Sequence, residues 1–304
     1  MKPLRTKVRL SGEDRFVNIV VAVVLALVFF CSLYPFYLAV VLSFNEGFDA
    51  QSGGIYFWPR KFSLENYTRL FSDREWFTAI FVSIARTVLG TSITVFFTVL
   101  VAYGLSRRDL VGRKVYFGII IFAMYFSGGI IPYYAILKQL NLLNNFLVYI
   151  IPGALNIFYM LVSISFIQAL PSELMDAARV DGAGEIKTLL SIVLPLSLPL
   201  LATIAIFVSV GQWNSWYDSA FFVTSKSKSY LHPLAYKLIE VVRRANINTA
   251  SAAGAGLDVA SRVKATSLSL QLAGMVVAVF PILAVYPFFQ KYIVSGITLG
   301  GVKG

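Results

Sequence analysis

The chain has 304 residues, 58% of them hydrophobic and 15% aromatic, with only 13% charged and a mean hydropathy of +0.74. Soluble domains carry about 25% charge, and here the apolar residues fall in long blocks, so the composition argues against a water-soluble domain and for a polytopic membrane protein. The net charge of +11 does not point to nucleic acid, because the cations cluster at the ends of apolar blocks, as in the positive-inside pattern.

Lys2, Arg5, Lys7, Arg9 and Arg15 precede the first block. That block, 16–44, is longer than the 7–15-residue core of a signal peptide and lacks a small-residue cleavage site, so it reads as a retained span. Cys31, the single cysteine, lies inside it, which leaves no disulfide framework and no cysteine metal site. Six blocks can each supply about 20 apolar residues: 16–44, 77–105, 115–137, 145–170, 196–223 and 268–293. An all-α domain of six transmembrane helices over 16–294 follows. It is flanked by an N-terminal tail, 1–15, and a C-terminal tail, 295–304, both expected in the cytoplasm. The loops at 45–76, 138–144 and 224–267 then face outside, although the last carries seven Lys and Arg residues. Loops of that length cross with weaker regard to charge.

In the first outer loop, Ser63 is placed to cap a helix with Glu65 in its first turn. Arg86 lies about nine residues into the second block, roughly 13 Å at 1.5 Å per residue. It reads either as an internal ion pair between helices or as a positive wall to a translocation path. Arg107, Arg108, Arg113 and Lys114 fill one short loop.

Residues 171–195, PSELMDAARVDGAGEIKTLLSIVLP, sit between two spans and are too elaborate for a soluble connector. Ser172 is expected to cap a short helix with Glu173 in its first turn. Leu174, Ala177, Ala178 and Asp181 share one small-residue face. Gly182 permits a sharp turn, and a second helix from Glu185 should stop at Pro195. Asp176 and Asp181 then flank a surface suited to a partner's Arg or Lys. The alternative is an amphipathic connection resting on lipid headgroups. Farther on, Gln212, Trp213, Asn214 and Asp218 interleave amides, aromatics and an acid, a set that can line a sugar path or, for the aromatics, anchor at the interface. Asn246 to Gly256 reads as a mobile loop tip. His232, the only histidine, reads as a loop residue. No Walker A loop, paired-histidine metal site or catalytic triad is present, so no catalytic or metal residue is assigned and any ATP must bind another chain.

DAARVDGA followed by SIVLP resembles the EAA loop of bacterial ABC importer permeases. Ala177, Ala178, Asp181, Gly182, Ala183, Ile192, Leu194 and Pro195 match that pattern, and Asp176 stands where Glu is usual. The C-terminus from Tyr286, ending in Gly300, Gly301, Val302, Lys303 and Gly304, resembles permeases of the maltose and oligosaccharide group, in which such a tail enters the ATPase dimer. The GRKVYFG turn (Gly112 to Gly118) and the Trp213-Asn214-Ser215-Trp216 cluster fit the same group. The resemblance implies the type I importer permease fold with 171–195 as a coupling helix, and a docking role for Asp176, Ala177, Ala178, Asp181, Gly182, Ala183, Leu194 and Pro195. It further implies a second homologous permease, an ATPase dimer holding ATP and Mg, and an extracellular or periplasmic sugar-binding protein. Cargo would be an oligosaccharide, with the branch for complex or acidic plant or algal sugars nearest. An amino-acid or phosphate importer is the alternative, and a secondary transporter would need a mid-membrane acid that the spans lack.

Overall fold

The computed structural model describes residues 12–126, 128–243 and 266–301, and among these it is helical without strands, apart from one isolated bridge between Asn45 and Phe62. The chain divides into two units, one of residues 1–70 and 245–276, the other of 71–244 and 277–304.

In the first unit, α1 (Gly12–Ser43) is apolar throughout its length, and every residue from Gly12 to Tyr37 is exposed. α2 (Gly47–Gln51) and the start of α3 (Glu65–Ser72) form a small polar-cored lobe at its far end. Ser63 Oγ accepts the amide of Glu65 at 3.1 Å, the capping contact expected there. Two buried amides hold the lobe. Asn66 Nδ2 donates to the carbonyls of Ser43 and Asn45, both at 2.9 Å, while Asn45 Nδ2 donates to Asp49 at 3.0 Å. Asp49 also pairs with Arg60 at 2.9 Å. Its carboxyl is held below the usual range, first by the Asn45 hydrogen bond and then by Arg60.

The second unit is organised around α4 (Arg74–Ser106), which packs along α7 (Ile157–Gln168) and α10 (Leu198–Asn214). Val99, Ala102, Met160, Ile164, Val193 and Leu201 form one apolar core among these helices. A second core gathers Val82, Leu137, Val148, Phe222 and Leu231. Residues 234–243 form α12, and Lys237, itself buried, pairs with Glu75 at 2.5 Å and Glu240 at 3.3 Å.

Among the described residues, three helical stretches are long and apolar enough to cross a membrane: Gly12–Ser43, Arg74–Ser106 and Leu268–Pro287 within α13 (Ser267–Gly301). Three more passages are bent pairs, each by more than 40°, giving six when each pair counts as one. The apolar blocks read from the sequence map onto these passages unevenly. Residues 115–137 are split between α5 (Arg113–Tyr125) and α6 (Ile130–Gln139), with the break at the Gly128-Gly129 pair. Residues 145–170 begin as a 3-10 turn, Phe146–Tyr149, and become α-helical only at α7. The Pro152-Gly153 pair lies in the gap, and the side chain of Asn156 caps the restart by accepting the amide of Tyr159 at 3.2 Å.

α7 and α8 (Ser172–Val180) meet at 74°, and α9 (Glu185–Leu196) and α10 at 78°. Pro195 does not end α9, contrary to expectation. The preceding turn, Leu189–Val193, widens into a π-helix in which the amide of Leu194 reaches back to Leu189. Re-registering the carbonyls in this way lets a residue without an N–H be absorbed. The helix ends instead at Ser197, two residues before Pro199. The 196–223 block is likewise interrupted at Ser215, whose extended backbone separates α10 from α11 (Tyr217–Phe222). α13 continues helically past residue 293, as far as Gly301. The loop tip Asn246 to Gly256 and residues Val302, Lys303 and Gly304 lie outside the described residues.

Candidate functional site

The 171–195 stretch folds as helix, turn and helix. Ser172 is the first residue of α8 rather than its cap: Pro171 takes the cap position, and no side chain caps the helix. At the other end, the amide of Gly182 bonds the carbonyl of Arg179 at 3.0 Å and that of Ala183 bonds Ala178 at 2.8 Å. This pair of reverse bonds is a Schellman motif, which requires a left-handed residue at the first position beyond the cap. Gly182 supplies it, with φ of +74°. The Asp181-Gly182-Ala183 triplet is therefore the stop signal of α8 and sets the angle at which α9 leaves.

The expected small-residue face divides in two. Asp176, Ala177 and Asp181 are exposed, whereas Ala178 is buried, because the helix lies with that edge against its own chain. Leu194 likewise packs against the α4–α7–α10 core rather than facing outward, while Pro195 is exposed. Two residues without a role in the sequence reading stand out at the turn: Val180 is 87% exposed and Ile186 75%. Single apolar residues at helix ends carry no such signal in sequence, since their exposure depends on where the turn points.

An ionic cluster ties this turn to the end of α4. Glu185 accepts from Tyr103 Oη at 2.5 Å and lies 3.3 Å from Arg107 and 3.4 Å from Arg179. Arg107 and Arg179 also pair with Asp109, at 3.3 Å and 3.7 Å. The Asp109 backbone amide, followed by Arg107, holds that carboxyl below its ordinary value. Asp176 has a partner within the chain, Arg179 at 3.9 Å, so its charge is not wholly free for another subunit.

The candidate path residues are partly brought together. The Arg86 side chain is 1% exposed. It donates to Asp218 Oδ2 at 2.9 Å, Gln212 Oε1 at 3.1 Å and the Ser215 carbonyl at 3.0 Å, and it lies 4.5 Å from the Tyr149 ring centre. The internal ion-pair alternative is the one observed, because a guanidinium with this many partners satisfies itself inside the bundle. Gln212 reaches it only because residue 90 is glycine: a Cβ there would fall 2.7 Å from Gln212 Nε2. Trp213 is buried and donates its indole N–H to the Ala278 carbonyl at 3.0 Å. Its ring borders an apolar groove of about 410 Å³ between α4, α10 and α13, into which Thr87, Thr91 and Ser209 also project. Asn214 is exposed. Gly300 and Gly301 are the last residues of α13. His232 lies in a connection between helices, as expected, but its side chain is buried, with Nδ1 2.6 Å from Ser219 Oγ. Among the described residues, no group of three or more His, Cys, Asp and Glu could hold a metal.

Residues 67–299 match the model of the binding-protein-dependent transport system inner membrane component family. The chain belongs to this family. Protein LplC of Bacillus subtilis (strain 168) is 36% identical to this permease over 273 residues, covering 90% of each chain. The polygalacturonan/rhamnogalacturonan transport system permease protein YtcP of the same organism is 36% identical over 270 residues, 89% of this chain and 92% of its own. The fold is that of the ABC importer permeases. One chain from the crystal structure of a bacterial ABC transporter involved in the import of the acidic polysaccharide alginate superposes with a TM-score of 0.82 at 28% identity, covering 94% of this permease and 99% of that chain. As an inner membrane component of a transport system, the permease is a membrane protein that works with other subunits.

Proposed function

We propose that this permease is one membrane half of an ATP-driven, binding-protein-dependent importer that carries an oligosaccharide, of the acidic kind released from plant or algal polysaccharides, into the cytoplasm. The kinship with polygalacturonan, rhamnogalacturonan and alginate transporters supports that cargo over amino acids or phosphate. The chain sits in the bacterial cytoplasmic membrane with both termini inside. It pairs with a homologous permease, receives sugar from a binding protein outside, and is driven by two ATPase subunits that hold ATP and Mg. It performs no chemistry itself.

The observation that carries this reading is the α8–turn–α9 projection. Val180, Asp181 and Ile186 stand outward around a rigid Schellman turn, an apolar pair with an acid beside it, suited to a cleft on the ATPase. Closure of the ATPase dimer around ATP moves this turn. α9 and the π-widened turn pass the movement to α10, and the Glu185 cluster passes it to α4.

The test is uptake by the assembled importer in proteoliposomes, supplied with neutral and uronic-acid oligosaccharides, with ATP hydrolysis measured in parallel. Uronic-acid oligomers should be imported and should stimulate hydrolysis. Gly182→Trp should leave the complex assembled but cut uptake at least tenfold relative to hydrolysis, while Gly182→Ala should cost only the backbone strain of roughly 1–2 kcal/mol. Coupled uptake at the normal ratio in Gly182→Trp would remove the turn from the mechanism.

A further inference from the structure

In the first unit, the segment that follows α2 places three large aromatic side chains in a row into open space. Tyr56 is 61% exposed, Phe57 68% and Trp58 79%, while Ile55 just before them is buried. Proteins rarely leave a contiguous aromatic cluster to water, and this one is held rigidly. On one side, Tyr34 Oη of α1 donates to the Tyr56 carbonyl at 3.4 Å and Tyr37 Oη donates to the Phe57 carbonyl. On the other, Pro59 restricts the backbone and Arg60 is clamped to Asp49, with Lys61 paired to Glu46 at 3.4 Å. Between these two pins the chain is fixed and its aromatic side chains point away from the protein. Both cations are engaged within the chain, so the segment offers rings rather than charge.

The position of the pins along α1 says what covers the rings. α1 is exposed on every side from Gly12 to Tyr37 and carries no charged residue after Arg15 until it ends. Starting at Phe16, a hydrocarbon core about 30 Å thick takes up about 20 residues at 1.5 Å each. Its far boundary therefore falls at Pro35–Phe36, between the two tyrosines that hold the segment. Tyrosine and tryptophan concentrate at that depth because an apolar ring and a polar N–H or O–H find both of their solvents there.

We propose that Tyr56, Phe57 and Trp58 form an interfacial anchor, seated in the headgroup boundary of the leaflet remote from the N-terminus. The anchor fixes how deep α1 and the lobe built on Asn45 and Asn66 sit in the bilayer. It requires only that α1 crosses the membrane and is independent of the cargo.

The test uses the chain assembled with its companion subunits in bilayer discs of phosphatidylethanolamine and phosphatidylglycerol. In a Cys31→Ser background, a spin label at Trp58→Cys should collide with oxygen severalfold more often than with water-soluble nickel complex. Free access to nickel would mark a solvated loop and overturn the proposal. Shielding from both reagents would mark a face covered by protein and also overturn it. A second measurement keeps the aromatic ring: lipid brominated near the headgroup end of its acyl chains should quench the unmodified protein more than Trp58→Phe, and equal quenching would reject the anchor.

Discussion

Arg86 shows how one buried charge organises its surroundings. Removing a guanidinium from water costs several kcal/mol unless it is paired and hydrogen-bonded, and here Asp218, Gln212, the Ser215 carbonyl and the Tyr149 ring share that role. The Ser215 contact matters structurally, because that carbonyl lies where α10 ends and has no helical partner of its own. Arg86 thus clasps the break between α10 and α11 to α4. Asp218→Asn should leave the charge uncompensated and destabilise the protein by about 3–5 kcal/mol, read as a fall in the unfolding midpoint of the detergent-solubilised complex. Adding Arg86→Met should recover much of that loss, and equal midpoints in the single and double variants would show that the pairing does not matter. Sequence position marks Arg86 as an unusual charge at membrane depth and groups Gln212 with Asp218 near the end of the fifth block. It does not reveal that they meet, since 126 and 132 residues separate Arg86 from these partners.

At the scale of elements, the α8–turn–α9 unit was the most legible part of the chain. A glycine after an amphipathic run signals a helix stop, and the observed turn has the left-handed geometry that makes glycine the right residue. What could not be read was the fate of Pro195. A proline ends a helix only if its missing amide cannot be absorbed, and the π turn upstream absorbs it. Nor could the inward side of Ala178 be read, because two helix faces made of small residues look alike until one is packed. Glu185, whose side chain is 56% exposed, links this unit to α4 through Tyr103 and Arg107 and bonds Arg179 within the unit, each ion pair contributing up to about 1 kcal/mol. Glu185→Gln should therefore speed hydrogen exchange of the amides around Gly182 by roughly fivefold, measured by mass spectrometry on the assembled complex. Unchanged exchange would mean that the turn is held by its backbone bonds alone.

For the whole molecule, length and hydropathy specify an all-helical membrane protein, and the function proposed above places ATP on another chain. The purified permease should accordingly hydrolyse no ATP, with turnover appearing only on reconstitution with ATPase subunits; hydrolysis by the chain alone would overturn the division of labour proposed above. The sequence by itself determined the number of apolar blocks, the position of the turn at Gly182 and the family, because these rest on local hydropathy and on the backbone demands of single residues such as Gly182. Only the tertiary structure decided that three passages are bent pairs, that Arg86 meets Gln212 and Asp218 while Trp213 bonds the Ala278 carbonyl, and that Val180 and Ile186 stand outward at the turn. Those outcomes depend on which surfaces meet across long stretches of chain, and a uniformly apolar helix carries little periodic signal to say which of its faces will be covered.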